Sequence, residues 1–203
     1  MAKLVVTTFV TLDGVMQAPG GPDEDRSGGF EHGGWLAPHF DDDAGAFMVQ
    51  VFEPVEAFLL GRKTYEIFAG YWPHVTDEND PIASKLNSLP KYVASRSLEK
   101  ADWQGSTVIG DVPTEVAALK EQLSGELQVH GSGDLIQTLT EHDLVDRYNV
   151  LTFPVRLGTG KRLFPEGVAP GGLRLSESRT TGKGVVISSY EAAGEPIYGT
   201  VGE

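Results

Sequence analysis

Apolar and polar positions along this chain follow two periods, and the switches between them mark the elements. Leu4 to Leu12 is β-branched and almost continuously apolar, the pattern of a strand covered on both faces. Ala57 to Leu60, Lys91 to Ala94, Thr107 to Ile109 and Leu127 to His130 are shorter runs of strand character. Between them apolar residues recur at helical spacing: Phe47, Met48, Val51 and Phe52; Tyr65, Phe68 and Trp72; Val112, Val116, Leu119 and Leu123; Leu135, Ile136 and Leu139. Asp80 to Leu89 reads as a short polar-faced helix, Trp72-Pro73 as a stop, and Gly125 as a helix cap. Val145 to Val155 reads as a longer strand. Residues 173–181 and 185–191 flank Gly182-Lys183-Gly184 as a hairpin. Strands alternating with helices and closing on a hairpin predict one α/β domain over residues 1–203, with a mostly parallel mixed sheet and antiparallel strands at its C-terminal edge. Residues 192–203 read as a tail.

One stretch breaks the alternation. Residues 16–40 are rich in Gly and Pro, including Pro19-Gly20-Gly21-Pro22, Gly28-Gly29 and Gly33-Gly34. A segment of that length without elements of its own is a functional lid or an insertion, and its aromatics Phe30, Trp35 and Phe40 favour a lid. Asp41-Asp42-Asp43 follows; these carboxylates either complement the dipole of the helix they open or place one acid at a cleft.

Composition narrows the function classes. The 203 residues carry a net charge of −13, which opposes general binding to nucleic acid. There is no cysteine, hence no disulfide framework and no thiolate chemistry. No apolar run approaches a membrane span and the start lacks a signal-peptide pattern, so the expectation is a soluble cytoplasmic protein. The five histidines fall at no metal-ligand spacing, so no metal is expected, and His130 reads as a structural hydrogen-bonding group at a strand end.

The cations of an acidic protein that binds an anionic ligand must be concentrated. Gly61-Arg62-Lys63-Thr64 stands where a strand feeds a helix, as does Gly131-Ser132-Gly133, and helix N-termini offer unpaired N–H groups and a positive dipole end. The first stretch also reads as an ordinary strand-to-helix turn with solvated basic residues. Ser95-Arg96 ends another strand with a hydroxyl and a guanidinium, suited to a phosphate monoester such as a nucleotide 2′-phosphate. In a mostly parallel sheet all three lie at the ligand-binding edge. Ile136 breaks a Gly-x-Gly-x-x-Gly fingerprint, Arg162 breaks a P-loop at Gly158-Thr159-Gly160-Lys161, and Ser132 lacks the frame of a nucleophile elbow.

Taken in order, Phe-Val-Thr-Leu-Asp-Gly, Leu-Leu-Gly-Arg-Lys-Thr-Tyr-Glu, Lys-Tyr-Val-Ala-Ser-Arg, His-Gly-Ser-Gly and Pro-Val-Arg-Leu-Gly-Thr-Gly resemble the dihydrofolate reductase-like family. The closer branch includes the reductase domain of bacterial riboflavin biosynthesis, and the resemblance spans roughly residues 3–192. It implies a three-layer α/β/α sandwich that binds NADPH and transfers its hydride to an oxidised C=N or C=O bond of a small pterin- or pyrimidine-like substrate. It also implies that Gly61, Arg62, Lys63 and Thr64 hold the pyrophosphate and 2′-phosphate, that Ser95 and Arg96 read the adenosine side, and that Gly131, Ser132 and Gly133 form the second glycine turn. Asp13 and Gly14 match the element near nicotinamide and substrate; Asp13 and Asp41 are the candidate acids and Trp35 a candidate wall for a flat substrate. Two departures leave the substrate open. Asp41 stands one residue out of step with the pterin-binding acid, and Val15 replaces the lysine common in riboflavin-type reductases. Those reductases are commonly fused to a zinc deaminase, of which this sequence shows no trace. A nucleotide-binding sensor or interaction module of the same fold, without turnover, is the alternative. The family often dimerises, and the C-terminal strand edge could serve a homodimer here.

Overall fold

The structure, a computed structural model, describes residues 1–77 and 79–202. Its strands are β1 (Lys3–Thr11), β2 (Val55–Gly61), β3 (Lys91–Ala94), β4 (Ser106–Ile109), β5 (Glu126–His130), β6 (Arg147–Phe153), β7 (Leu173–Thr180) and β8 (Val186–Ala192). They form one sheet in the order β4-β3-β2-β5-β1-β6-β8-β7. The first six in that order pair in parallel, whereas β8 runs antiparallel to both β6 and β7. The α-helices are α1 (Asp42–Phe52), α2 (Arg62–Tyr71), α3 (Pro81–Ser88), α4 (Val112–Gln122) and α5 (Gly133–Glu141).

Side-chain alternation along the strands decides which layer each residue serves. Leu4, Val6, Ala57, Leu59, Leu127 and Val129 face α4 and α5 and form one buried core with Val116, Leu119, Ile136 and Leu139. Phe58, Leu60, Val93, Leu151, Phe153 and Ile187 face the other way, onto α1, α2 and α3, where Phe47, Val51, Phe52, Tyr65 and Leu86 meet them. This is the three-layer sandwich, and the continuous apolar runs of the central strands follow from helices on both faces.

Two boundaries differ from the sequence expectation. β6 is shorter than Val145–Val155, because pairing with β8 stops at Thr152 and Val155 N–H turns to Phe153 O. Gly125 is no helix cap: α4 ends at Gln122 and is capped by Leu123, whose N–H bonds Leu119 O. What Gly125 supplies is close approach, since a Cβ there would lie 2.9 Å from Pro54 O. The hairpin turn at 182–184 forms as expected, with Thr181 N–H donating to Val185 O and Gly184 N–H to Thr181 O. No helix among the described residues is long and apolar enough to cross a membrane.

Candidate functional site

At the carboxyl ends of β2, β3 and β5 the sheet opens into a cleft of about 1540 Å³. Thr7, Phe9 and His130 line it from the strands, Met48 and Phe52 from α1, and Met16 to Gly20 with Glu24 and Asp25 from the 16–40 loop. Gln17 ties the loop together at its base. Gln17 Nε2 donates to Asp25 O (3.1 Å) and Ser27 O (3.0 Å), while its Oε1 accepts from Lys161 N–H (3.0 Å).

Of the helices that begin at this cleft, two have no side-chain cap. α2 starts on Gly61 and α5 on Ser132. Their turns interlock: Gly61 N–H donates to Ser132 Oγ (2.9 Å), and a Cβ on Gly61 would lie 3.3 Å from Ser132 Cβ. Gly131 and Ser132 take positive φ of 58° and 65°, a conformation glycine adopts freely and serine does not. The Ser132 hydroxyl holds that turn through Gly61 N–H and through its own bond to His130 O (3.3 Å). Uncapped first turns on adjacent strands present N–H groups and two positive dipole ends to one space. Gly61, Arg62, Lys63, Thr64, Gly131, Ser132 and Gly133 all line it.

The cations are partly committed. Arg62 bonds Glu66 (2.7 Å) and Ser97 Oγ (2.8 Å). Lys63 Nζ lies 2.6 Å from Asp25 Oδ1, and Lys161 Nζ lies 3.0 Å from Asp25 Oδ2. Burial raises the Asp25 carboxyl, but the bonds from Lys63, Ser27 and Lys161 outweigh it and hold the group well below the usual carboxylate range. The carboxylate thus bridges two lysines across the mouth of the cleft. Ser95 Oγ accepts from Ser97 N–H (3.3 Å) and Leu98 N–H (3.0 Å), fixing the turn that carries Arg96 into the lining. Arg96 has no ion-pair partner among the described residues.

The expected acids and substrate wall lie elsewhere. Asp13 accepts from Thr11 Oγ (2.6 Å), Gly158 N–H (2.7 Å) and Leu157 N–H (3.2 Å). The Thr11 bond does most to hold its carboxyl down at about 2. With Gly14 it lines a separate, smaller hollow beside Tyr148, Leu163 and Phe164. Asp41 is the N-cap of α1, accepting from Ala44 N–H (3.1 Å) and also from Lys183 N–H (2.9 Å). Desolvation raises its pKa, and those N–H bonds outweigh it to give a net lowering. The capping task is the reason Asp41 turns away from the cleft. Trp35 is buried edge-on against Phe153 at 5.5 Å and donates its Nε1–H to Gln17 O (2.9 Å), so it braces the loop from beneath.

The 16–40 loop instead brings two carboxylates of its own to the cleft lining, Glu24 and Asp25. Glu24 Oε2 accepts from Gly20 N–H (2.6 Å) and Gly21 N–H (3.1 Å), while burial pushes its carboxyl above the usual range. Their signal was present as Asp23-Glu24-Asp25, an acidic run inside a Gly/Pro-rich loop.

Comparison with known proteins places the fold and the family. The chain is 28% identical over 193 residues to the Uncharacterized protein YyaP of Bacillus subtilis (strain 168), covering 93% of this chain and 94% of that one. It is 24% identical to the Uncharacterized protein YwjB of the same organism, covering 94% and 98%. Among solved structures, a Shewanella sp. PV-4 protein that its name alone assigns to riboflavin biosynthesis superposes with a TM-score of 0.71 at 22% identity, covering 95% of this chain and 99% of that one. A pyrimidine reductase-like protein from Corynebacterium diphtheriae gives 0.63 at 11% identity, covering 95% and 92%. Both structural likenesses are likenesses of fold. Residues 2–187 match the RibD C-terminal domain, and the chain belongs to that family.

Proposed function

We propose that this protein is an NADPH-dependent reductase that passes a hydride to an oxidised C=N or C=O bond of a small planar substrate, pterin- or pyrimidine-like, under the 16–40 loop. Family membership supports a reductase-type function in general. The observation that carries the cofactor assignment is the pair of uncapped helix N-termini, α2 and α5, tied together by the Gly61–Ser132 bond at one cleft. A pyrophosphate seated there would receive the N–H groups that no side chain takes. Arg96, without an ion-pair partner among the described residues, is the group for a 2′-phosphate, which distinguishes NADPH from NADH.

When bound, the cofactor supplies the hydride; the chain supplies orientation, exclusion of water and a proton. Reduction of a C=N bond leaves a nitrogen that must be protonated. Glu24, raised by burial and lining the cleft, is the carboxyl placed to do so. A nucleotide sensor without turnover is the second reading, favoured by the absence of Asp13 and Asp41 from the cleft lining. Glu24→Gln separates the two: the reductase reading expects turnover to fall roughly hundredfold with NADPH affinity unchanged.

The remaining partner is a second copy. β7 is an edge strand with Leu173 and Leu175 exposed, an edge suited to pairing between copies in a soluble cytoplasmic homodimer. The test of the cofactor reading is calorimetric titration with NADPH and NADH, alongside Arg96→Ala. Micromolar NADPH binding, weaker NADH binding and loss of the preference in the variant are expected. Binding of neither nucleotide would end the reading.

A further inference from the structure

The floor of the cleft carries a polar row that hydride transfer alone does not use. Strand register sets Thr7 beside His130, Thr7 beside Asn149, and Asn149 beside Ser189. These four residues cross β5, β1, β6 and β8 side by side, and all are buried. Glu126 and Gln128 alternate onto the same face of β5 as His130. Polar groups so placed are costly unless bonded, and their bonds fix where each proton lies.

Gln128 Nε2 donates to Val51 O (2.6 Å) and to Glu126 Oε2 (2.8 Å). A carbonyl and a carboxylate can only accept, so the amide has one orientation. Its Oε1, 3.2 Å from His130 Nε2, is therefore the acceptor, and the imidazole proton sits on Nε2. Packing between the rings of Phe52 (4.8 Å) and Phe58 (5.9 Å) buries the imidazole, and burial pushes its pKa down to about 4. His130 is neutral at pH 7, with its lone pair on Nδ1. That nitrogen has no hydrogen-bond partner among the described residues, and the side chain lines the cleft.

One strand over, Ser189 Oγ donates to Asn149 Oδ1 (2.9 Å) and Asn149 Nδ2 donates to Thr7 Oγ1 (3.2 Å). Thr7 accepts, so its hydroxyl proton is left to give, and Thr7 also lines the cleft. An oriented acceptor and an available donor thus stand on neighbouring strands, whose axes lie roughly 4.8 Å apart. The aromatic and thioether groups of Phe9, Met48 and Phe52 line the cleft around them.

We propose that His130 Nδ1 and Thr7 Oγ form a recognition pair for an amide group, Nδ1 accepting from its N–H and the Thr7 hydroxyl donating to its C=O. The assignment rests on the reductase reading of the cleft and adds to it which polar edge the floor selects. That amide has two sources: the carboxamide of the nicotinamide, or a ring amide of a planar heterocycle.

Nitrogen NMR on protein carrying 15N-labelled histidine tests it, with the His130 signals assigned by their loss in His130→Phe. In the free protein Nε2 should carry the proton and Nδ1 should show the shift of a bare basic nitrogen. NADP⁺ alone is added first, then uracil, then 1,3-dimethyluracil in place of uracil. An upfield move of Nδ1 with NADP⁺ assigns the carboxamide; a move only with uracil assigns the ring amide, and the dimethylated ring should leave Nδ1 unmoved. His130→Phe, which keeps an aromatic ring between Phe52 and Phe58, should bind the responsible ligand roughly tenfold more weakly. A bare Nε2 in the free protein, an equal response to both uracils, or no response in any arm overturns the proposal. The heat of NADP⁺ binding, measured on the same samples, shows whether the cofactor reading has failed with it.

Discussion

The helices of this protein begin in two ways. α1, α3 and α4 start on Asp41, Asp80 and Asp111, each of which accepts from backbone N–H groups of the first turn. α2 and α5 start on Gly61 and Ser132, with no side-chain cap. An Asp cap contributes about 1 kcal/mol, so two helices forgo a stabilisation that the other three take. The uncapped pair follows adjacent strands, β2 and β5, and faces one cleft. α1, α3 and α4 take that stabilisation from their own chain, whereas α2 and α5 leave it unmet at the proposed pyrophosphate seat. α4 sharpens the point: Asp111 also lines the cleft, yet its carboxylate is already spent on Thr114 N–H.

Placing the missing cap should have the largest effect. Gly61→Asp would put a resident carboxylate into the proposed pyrophosphate seat, and NADPH affinity measured by calorimetry should fall at least about hundredfold, since charge-assisted bonds are displaced. Next comes the lysine bridge. Asp25→Asn removes the negative charge between Lys63 and Lys161, and affinity for NADPH at low salt should rise several-fold, the gain vanishing at high salt. Removing a cap on the other side of the comparison should leave binding alone. Asp80→Ala should cost about 1 kcal/mol in denaturant unfolding with NADPH affinity unchanged. The smallest change at neutral pH concerns His130. Its pKa falls from 6.5 unfolded to about 4 folded, so its neutral form stabilises the fold above pH 6.5 and that contribution is lost as pH falls toward 4. Unfolding midpoints of His130→Phe should therefore decline less than those of the unaltered protein across that window.

The layers were legible because alternation and helical spacing are dictated by burial. Leu4–Leu12 and the stripe Leu135, Ile136, Leu139 could form little else. The clustering of strand ends was legible too, since Gly61, Ser95 and Gly131 end strands that topology brings side by side. What sequence could not show was which charges are already spent. Lys63 looked free but bonds Asp25 from a loop whose path no periodicity encodes. Asp41 read either as a helix-opening carboxylate or as a cleft acid, and only the structure shows it meeting the first-turn N–H groups. Lys91 lies wholly buried, with Nζ 2.7 Å from Leu86 O and Leu89 O and its pKa lowered to about 8 by desolvation, in a strand run that gave no hint of it.

The central claim is that the two uncapped N-termini are one pyrophosphate seat. A crystal structure of the NADP⁺ complex tests it most directly. The account predicts pyrophosphate oxygens within hydrogen-bond distance of first-turn N–H groups of both α2 and α5, with the 2′-phosphate beside Arg96. A dinucleotide bound with its pyrophosphate away from both helix starts would contradict it.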